Sequence, residues 1–301
     1  MTAYRVVHHT SYEYEVPVLH AHHVGRLKPR NLPHQRVMRT DVRCEPHAHA
    51  IFEYQDYFGN PTQSIEILER HESFEVVATS LVDVLPRELS RQAPLHVRAW
   101  ESVKSWLASR EAPLDAQEGV CDSPLVRAHA TFRAFAADCF APGTPLIEAV
   151  TQLNHKIFDE FTYEPAATTV STPLAQVMRE RKGVCQDFAH VALGCLRTFG
   201  LSGRYVSGYL ETVPPAGVEK LVGVDASHAW VAVFVPDHGW LELDPTNGIL
   251  PGERHVTLAW GRDFSDVSPL KGVVLGGGRH GVRVGVDVEP VSASVVDALA
   301  T

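Results

Sequence analysis

Cys185, His228 and Asp244 are the three residues whose types and order could do chemistry together. Cys185 opens an amphipathic helical pattern, with apolar residues at Val184, Phe188, Val191, Ala192, Cys195, Leu196 and Phe199, the spacing of one buried face. A thiol at a helix start meets the unpaired N–H groups and the positive end of the dipole, which favour thiolate over thiol. His228 and Asp244 follow on two strand-like segments, and Cys, His and Asp in concert are sufficient for thiol acyl transfer. Cys185 would attack an amide carbonyl. His228 would take the thiol proton or pair with a preformed thiolate, and Asp244 would hold the imidazole tautomer. The Cys185 N–H would serve as an oxyanion donor. Gln186, Asp187, Trp230 and Asn247 are the candidate substrate-binding or supporting residues. His190, one turn beyond Cys185, reads as structural.

The bland reading of a cysteine on an apolar helix is core, and Cys195 is assigned to the core. Trp230 and Trp240 could wall a groove, with core favoured for each. Strand side chains alternate faces, so around the turn signal Pro236-Asp237-His238-Gly239 a two- or four-residue hairpin would put His228 and Asp244 on opposite faces, and they meet only if the loop is odd, for instance Val235 to Gly239, or a bulge restores the register.

The elements that must position these residues fall into two segments. Residues 1–88 read as a β-rich domain, with strand patterns at Arg5 to Val16, Val37 to Cys44, Ser64 to Leu68 and Phe74 to Thr79, and a turn at Phe58-Gly59-Asn60-Pro61. These strands predict a small antiparallel sandwich. Residues 89–301 begin with helical periods over Leu95 to Ser109, Pro124 to Cys139 and Pro145 to Phe161. Thr144-Pro145 and Thr172-Pro173 are read as helix starts. Strands return at Arg204 to Glu211, Ala229 to Val235 and Trp240 to Asp244. A flexible glycine-rich connection, Gly276-Gly277-Gly278, precedes a β-like tail. The fold class expected is α+β.

The composition bounds the partners. Of 301 residues, 45% are hydrophobic and 21% charged, as in globular proteins, and the net charge of −9 argues against nucleic acid and anionic membrane surfaces. No apolar run approaches the roughly 20 residues of a membrane span. The N-terminus carries no signal-peptide pattern. Five scattered cysteines with no Cys-x-x-Cys imply neither a disulfide framework nor a zinc ribbon, and suggest a reducing cytoplasm. Histidines cluster at His8-His9, at His20, His22 and His23, and at His47 and His49. They lack matched carboxylates or cysteines at ligand spacing, so solvated or interface roles are expected and no metal or other cofactor.

Several segments resemble the bacterial transglutaminase-like proteins. They are Gly183-Val184-Cys185-Gln186-Asp187-Phe188-Ala189-His190, Gly203 to Tyr209, Asp225 to Trp230, Asp244-Pro245-Thr246-Asn247 and Gly261 to Pro269. Tyr4 to about Val84 is similar to the β-rich region that accompanies that domain. The resemblance covers nearly the whole chain. It implies a papain-like core, with the cysteine helix packed on an antiparallel sheet that bears the histidine and aspartate. Such proteins are often taken to be cysteine proteases or amidases rather than cross-linking enzymes. One departure is Ala232, where family members often carry an acidic residue. The chain also lacks the dense acidic loop of a calcium-activated cross-linker.

The expectation is therefore a cysteine protease-like hydrolase of peptide, isopeptide or other amide bonds, acting on protein or peptide through a thioester. The alternatives are transfer of the acyl group to an amine, a noncatalytic binding module on the same fold, and a metal-binding protein built on the N-terminal histidines. The N-terminal domain could present substrate, occlude the groove or mediate homo-oligomerisation.

Overall fold

Alternation in the first strand is the origin of the first layer. In the computed structural model, which describes residues 2–87, 98–165, 167–212 and 226–291, strand β1 (Thr2–Gly25) turns Tyr4, Val6, His8 and Thr10 inward on alternate positions. It is followed by β2 (Gln35–Glu45), β3 (Ala50–Gln55), β4 (Pro61–Ile67) and β5 (His71–Val84). Sequence periodicity did not register β3, whose residues are nearly all exposed and show no alternation.

The helical part then runs α1 (Trp100–Leu107), α2 (Leu114–Glu118), α3 (Ala130–Ala136) and α4 (Leu146–Glu160). Next come β6 (Thr162–Tyr163), α5 (Leu174–Glu180), β7 (Lys182–Gly183) and α6 (Cys185–Thr198). The chain continues through β8 (Gly203–Leu210), β9 (Ala226–Val235), β10 (Gly239–Leu243), β11 (His255–Gly261), α7 (Phe264–Val267), β12 (Leu270–Gly276) and β13 (His280–Val291). Among the described residues no helix is long and apolar enough to cross a membrane.

The sandwich expected at the N-terminus is realised by one antiparallel sheet curled on itself. The first half of β1 lies between β5 and β13, and its second half between β4 and β12. A register shift between Glu13 and Val18 separates the halves. Val18, Ala21, Ile65 and Ile67 from one half then bury against Phe74, Val76 and Ala78 from the other. The tail, grouped by sequence with the second segment, is hydrogen-bonded into this first sheet. Its glycines are not a loose connection. Gly276, Gly277 and Gly278 have φ of 104, 83 and 61°, a run only glycine sustains cheaply, and the Gly277 N–H donates to Pro17 O. The segment boundary near residue 88 lies outside the described residues.

Helix lengths differ from the sequence reading where tertiary partners intervene. The helix expected over Pro124 to Cys139 is only α3. Upstream, Leu125 N–H donates to the Asp263 carboxylate and Arg197 donates to Val126 O, so these backbone groups are satisfied outside a helix. α4 starts one residue later than expected, with Pro145 itself at the cap and no side-chain cap from Thr144.

The second sheet has the order β10-β9-β8-β11, and α6 packs on it through Phe188, Ala192, Leu193 and Leu196 against Ala229, Val231 and Val233. β11 is an edge strand with unpaired backbone groups. The N-terminal domain covers that edge with two side-chain amides. Gln35 donates to Thr257 O and accepts from Thr257 N, each at 2.7 Å. Asn60 does the same to Trp260 at 2.8 and 2.9 Å. Tyr4, Val6, Val82, Val286 and Val288 bury Tyr209, Val256 and Leu258 beneath these clamps.

Candidate active site

Gly183 brings the chain into α6 by close approach rather than by a special φ. A Cβ there would lie 2.6 Å from Asp187 Oδ2, so only glycine leaves room for that carboxylate. Asp187 uses the space to accept the Val184 N–H at 2.9 Å and the Thr168 hydroxyl at 2.6 Å, closing the first turn. Burial raises its pKa despite these bonds. Asp187 thus supports the helix start that presents Cys185. Cys185 is the first residue of α6 and half-buried. Its N–H makes no hydrogen bond among the described residues and points from the positive end of the helix. Gln186 is half-buried in the same turn, and its side chain makes no hydrogen bond among the described residues.

His228 and Asp244 meet because the turn between β9 and β10 has three residues. Val235 pairs with Gly239 and Val231 with Leu243, leaving Pro236, Asp237 and His238 outside the ladder. Asp237 and Gly239 have φ of 69 and 85°. In this register Asp244 follows on opposite Trp230 and diagonal to His228, on the same face. His228 Nε2 donates to Asp244 Oδ2 at 2.8 Å. That leaves Nδ1 for the thiol, which acts on this imidazole electrostatically, while Cys185 Sγ lies 4.0 Å from the Ser227 carbonyl oxygen. Burial by itself would lower the His228 pKa. The bonds and charges of Asp244 and Cys185 outweigh burial and push it up to about 10.

Asp244 is fully buried and accepts from five donors. Besides His228, Oδ2 takes Asn247 Nδ2 at 2.7 Å and His255 Nε2 at 3.1 Å. Oδ1 takes the Thr246 and Asn247 N–H groups at 3.0 and 3.2 Å. Burial opposes ionisation, yet these donors hold the carboxyl well below its usual range. Asn247 therefore anchors Asp244. Its Nδ2 is also 3.5 Å from His228 Nε2.

His255 escaped the sequence reading. It opens β11, at the far edge of the sheet from β10, and no spacing connects it with Asp244. The Gly252 N–H donates to its Nδ1 at 3.3 Å, which places the ring proton on Nε2 and makes it a donor to Asp244. Burial lowers its pKa, so it serves as a neutral imidazole. His228 Nε2, Asp244 Oδ2 and His255 Nε2 lie within 4.8 Å of one another, and a divalent cation could be held by such a set. Two N–H donors converging on one carboxylate oxygen account for the same geometry. The N-terminal histidines form no comparable group among the described residues. His8 bonds the Tyr209 hydroxyl, His9 meets Glu75, and His23 stacks on Phe74 at 4.2 Å.

Trp230 is a buried support beneath the site. Its ring lies 5.9 Å from His228 and 5.4 Å from His255. Its Nε1 donates to Glu242 Oε2 at 2.6 Å, and Glu242 also binds Arg87 from the N-terminal domain. Burial would raise the Glu242 pKa, but Arg87 and the indole N–H keep it below the usual value. Glu242 pairs directly across from Ala232, so a cross-strand residue supplies the carboxylate that position 232 lacks. Trp240 is half-buried and lines a cavity away from the thiol. His190 is structural in its contacts, since its Nε2 accepts the Phe264 N–H. Cys195 is fully buried.

The profile described as the bacterial transglutaminase-like N-terminal region matches residues 4–83. The profile described as the transglutaminase-like superfamily matches residues 133–245. An uncharacterised protein of Mycobacterium tuberculosis is 36% identical, over 98% of this chain and 95% of its own. A protein-glutamine gamma-glutamyltransferase of Pseudomonas aeruginosa is 32% identical over 170 residues, covering 54% of this chain and 25% of that one. The crystal structure of a candidate cysteine protease from Cytophaga hutchinsonii superposes with a TM-score of 0.75 at 17% identity, covering 97% of this chain and 91% of that one.

Proposed function

The chain belongs to the transglutaminase-like superfamily, and from that premise we propose that it is a thiol-dependent acyl-transfer enzyme that hydrolyses peptide, isopeptide or other amide bonds of a protein or peptide substrate. One observation carries the reading. The imidazole of His228, on which the helix-start thiol of Cys185 acts, has its Nε2 fixed by a buried carboxylate at 2.8 Å.

The steps balance within these groups. Cys185 Sγ adds to the carbonyl carbon, and the developing oxyanion accepts the free Cys185 N–H. The His228 imidazolium gives its proton to the leaving amine, the C–N bond breaks and a thioester remains. Water then adds as His228 takes its proton, and the C–S bond breaks to release the acid and restore the thiol. Asp244 keeps the Nε2 proton of His228 in place through both halves.

Resolution of the thioester by an amine in place of water is the second reading, and the likeness to a named glutamine gamma-glutamyltransferase over part of the chain favours keeping it. The proposed compartment, a reducing cytoplasm, rests on the scattered spacing of the five cysteines in the sequence. The test is incubation with casein and dansylcadaverine, read by mass spectrometry. New peptide ends or deamidated glutamine that vanish in Cys185→Ala support hydrolysis. Dansyl adducts on glutamine support transfer. A Cys185→Ala protein as active as the parent overturns both.

A further inference from the structure

A second site is built at the junction of the two domains. A cavity of about 440 Å3 opens between the Tyr57 turn of the N-terminal domain and the far end of the second sheet. Its walls include the rings of Tyr57, Trp240 and Trp260, with Arg204 among them and Asp115 and Glu118 at the rim. Arg204 pairs in register with Ala232 and His228 with Gly208, so the cavity is displaced four positions along β8 from the imidazole, about 13 Å. It is not part of the thiol site.

Arg204 is the informative residue. Its guanidinium carbon lies 4.3 Å from the Trp240 ring centre and 3.8 Å from that of Trp260. Nε is buried without a hydrogen-bond partner, and no N–H of this side chain is bonded among the described residues. Glu242 acts on it through space but is already bonded to Trp230 and Arg87. Arg30 adds a second guanidinium over Trp260 at 3.4 Å. Arg204 is half-buried, with Nε sequestered and its terminal nitrogens open to the cavity, so a guanidinium shut off from hydrogen-bonded anions on its protein side would gain from an anion supplied from the cavity.

The indoles cover the flat faces of the guanidinium, so an incoming anion must meet its edge. A planar carboxylate suits that edge and can bond it twice. Arg262 also lines the cavity but is paired with Asp266, which leaves Asp115 and Glu118 at the rim to attract an ammonium. We propose that this cavity binds a free amino acid or short peptide as its zwitterion, the α-carboxylate on Arg204, the α-ammonium toward Asp115 and Glu118, and the side chain against the indoles. The proposal stands independently of the thiol chemistry.

The experiment uses full-length Cys185→Ala protein, in which nothing can be turned over, with the dipeptide alanyl-phenylalanine as probe. Calorimetry and tryptophan fluorescence should show saturable binding of one dipeptide per chain. The C-terminal amide should bind about 10-fold or more weakly, as loss of a charged hydrogen-bond pair implies. Arg204→Gln should lose affinity to the same extent. Exposed Asp115→Asn, which can still accept the Trp240 N–H, should weaken the dipeptide but not its N-acetyl derivative, so the proposal remains testable if Arg204→Gln does not fold. Equal affinity for dipeptide and amide, or no saturation up to roughly 10 mM, overturns it. Competition by inorganic phosphate as strong as that of the dipeptide overturns the assignment to a carboxylate.

Discussion

Asp244→Asn should strip His228 of its proton at neutral pH. Five donors converge on Asp244, three on Oδ2 and two on Oδ1. An asparagine must turn its NH2 toward one of these sets, so donor faces donor on one side, and in either orientation the negative charge that holds the His228 proton is gone. The rise of the His228 pKa from 6.5 to about 10 corresponds to ~5 kcal/mol of preference for the imidazolium. Asp244 and Cys185 share that preference, and burial opposes it. Removing the carboxylate charge should therefore bring the imidazole down to about 7 or below. The assay is NMR of histidine-labelled protein, with the His228 resonance assigned by its loss in His228→Gln. The parent should hold the His228 proton through pH 9, while Asp244→Asn should titrate around or below neutrality.

Stability follows with a defined sign. Because the folded pKa of His228 is raised, its contribution is whole below about 6.5 and is lost as pH rises through about 10. Asp244 is held below its usual range, so its contribution is present above about 3.9 and disappears as pH falls through its folded value. The stability gap between parent and Asp244→Asn should be widest between about pH 4 and 6.5 and should narrow toward pH 10. A parent His228 that titrates near 6.5, or one unmoved by Asp244→Asn, would refute the reasoning.

Other expectations follow from the same contacts. His255→Leu removes one donor from Asp244, and kcat should fall about 10- to 100-fold with little change in KM, because a misplaced carboxylate mispositions the imidazole; equal loss in both parameters would point to substrate contact instead. Gly183→Ala forces a Cβ against Asp187 and should destabilise the fold by about 1–3 kcal/mol, read as a lower denaturant midpoint. Gln35→Ala leaves the Thr257 N–H of the β11 edge unbonded, while the Thr257 carbonyl keeps the Arg30 N–H, so the loss should be roughly 1–3 kcal/mol, and the loosened edge should raise aggregation in light scattering.

The helix around Cys185 was legible because its apolar spacing is local, and a helix start converts position directly into free N–H groups. Asp187 and Asn247 were named from their neighbourhood in the chain, and both reach their partners within three residues. The pairing of His228 with Asp244 depended on the parity of one turn. That could be posed from sequence but not answered, since Pro236 to Gly239 admits more than one turn. Only tertiary structure could bring in His255, Glu242 and Arg87. They reach the site across a sheet and from another domain, and side-chain periodicity carries no information on which strands become neighbours. The same holds for the tail. Its glycines look alike as linker or as turn until β1 supplies the hydrogen bonds that fix them. Sequence determined which residues could act and on which elements they sit. The register of β9 on β10 and the docking of the curled sheet on β11 decided which of them meet, because strand pairing is a contact between segments that the chain does not place side by side.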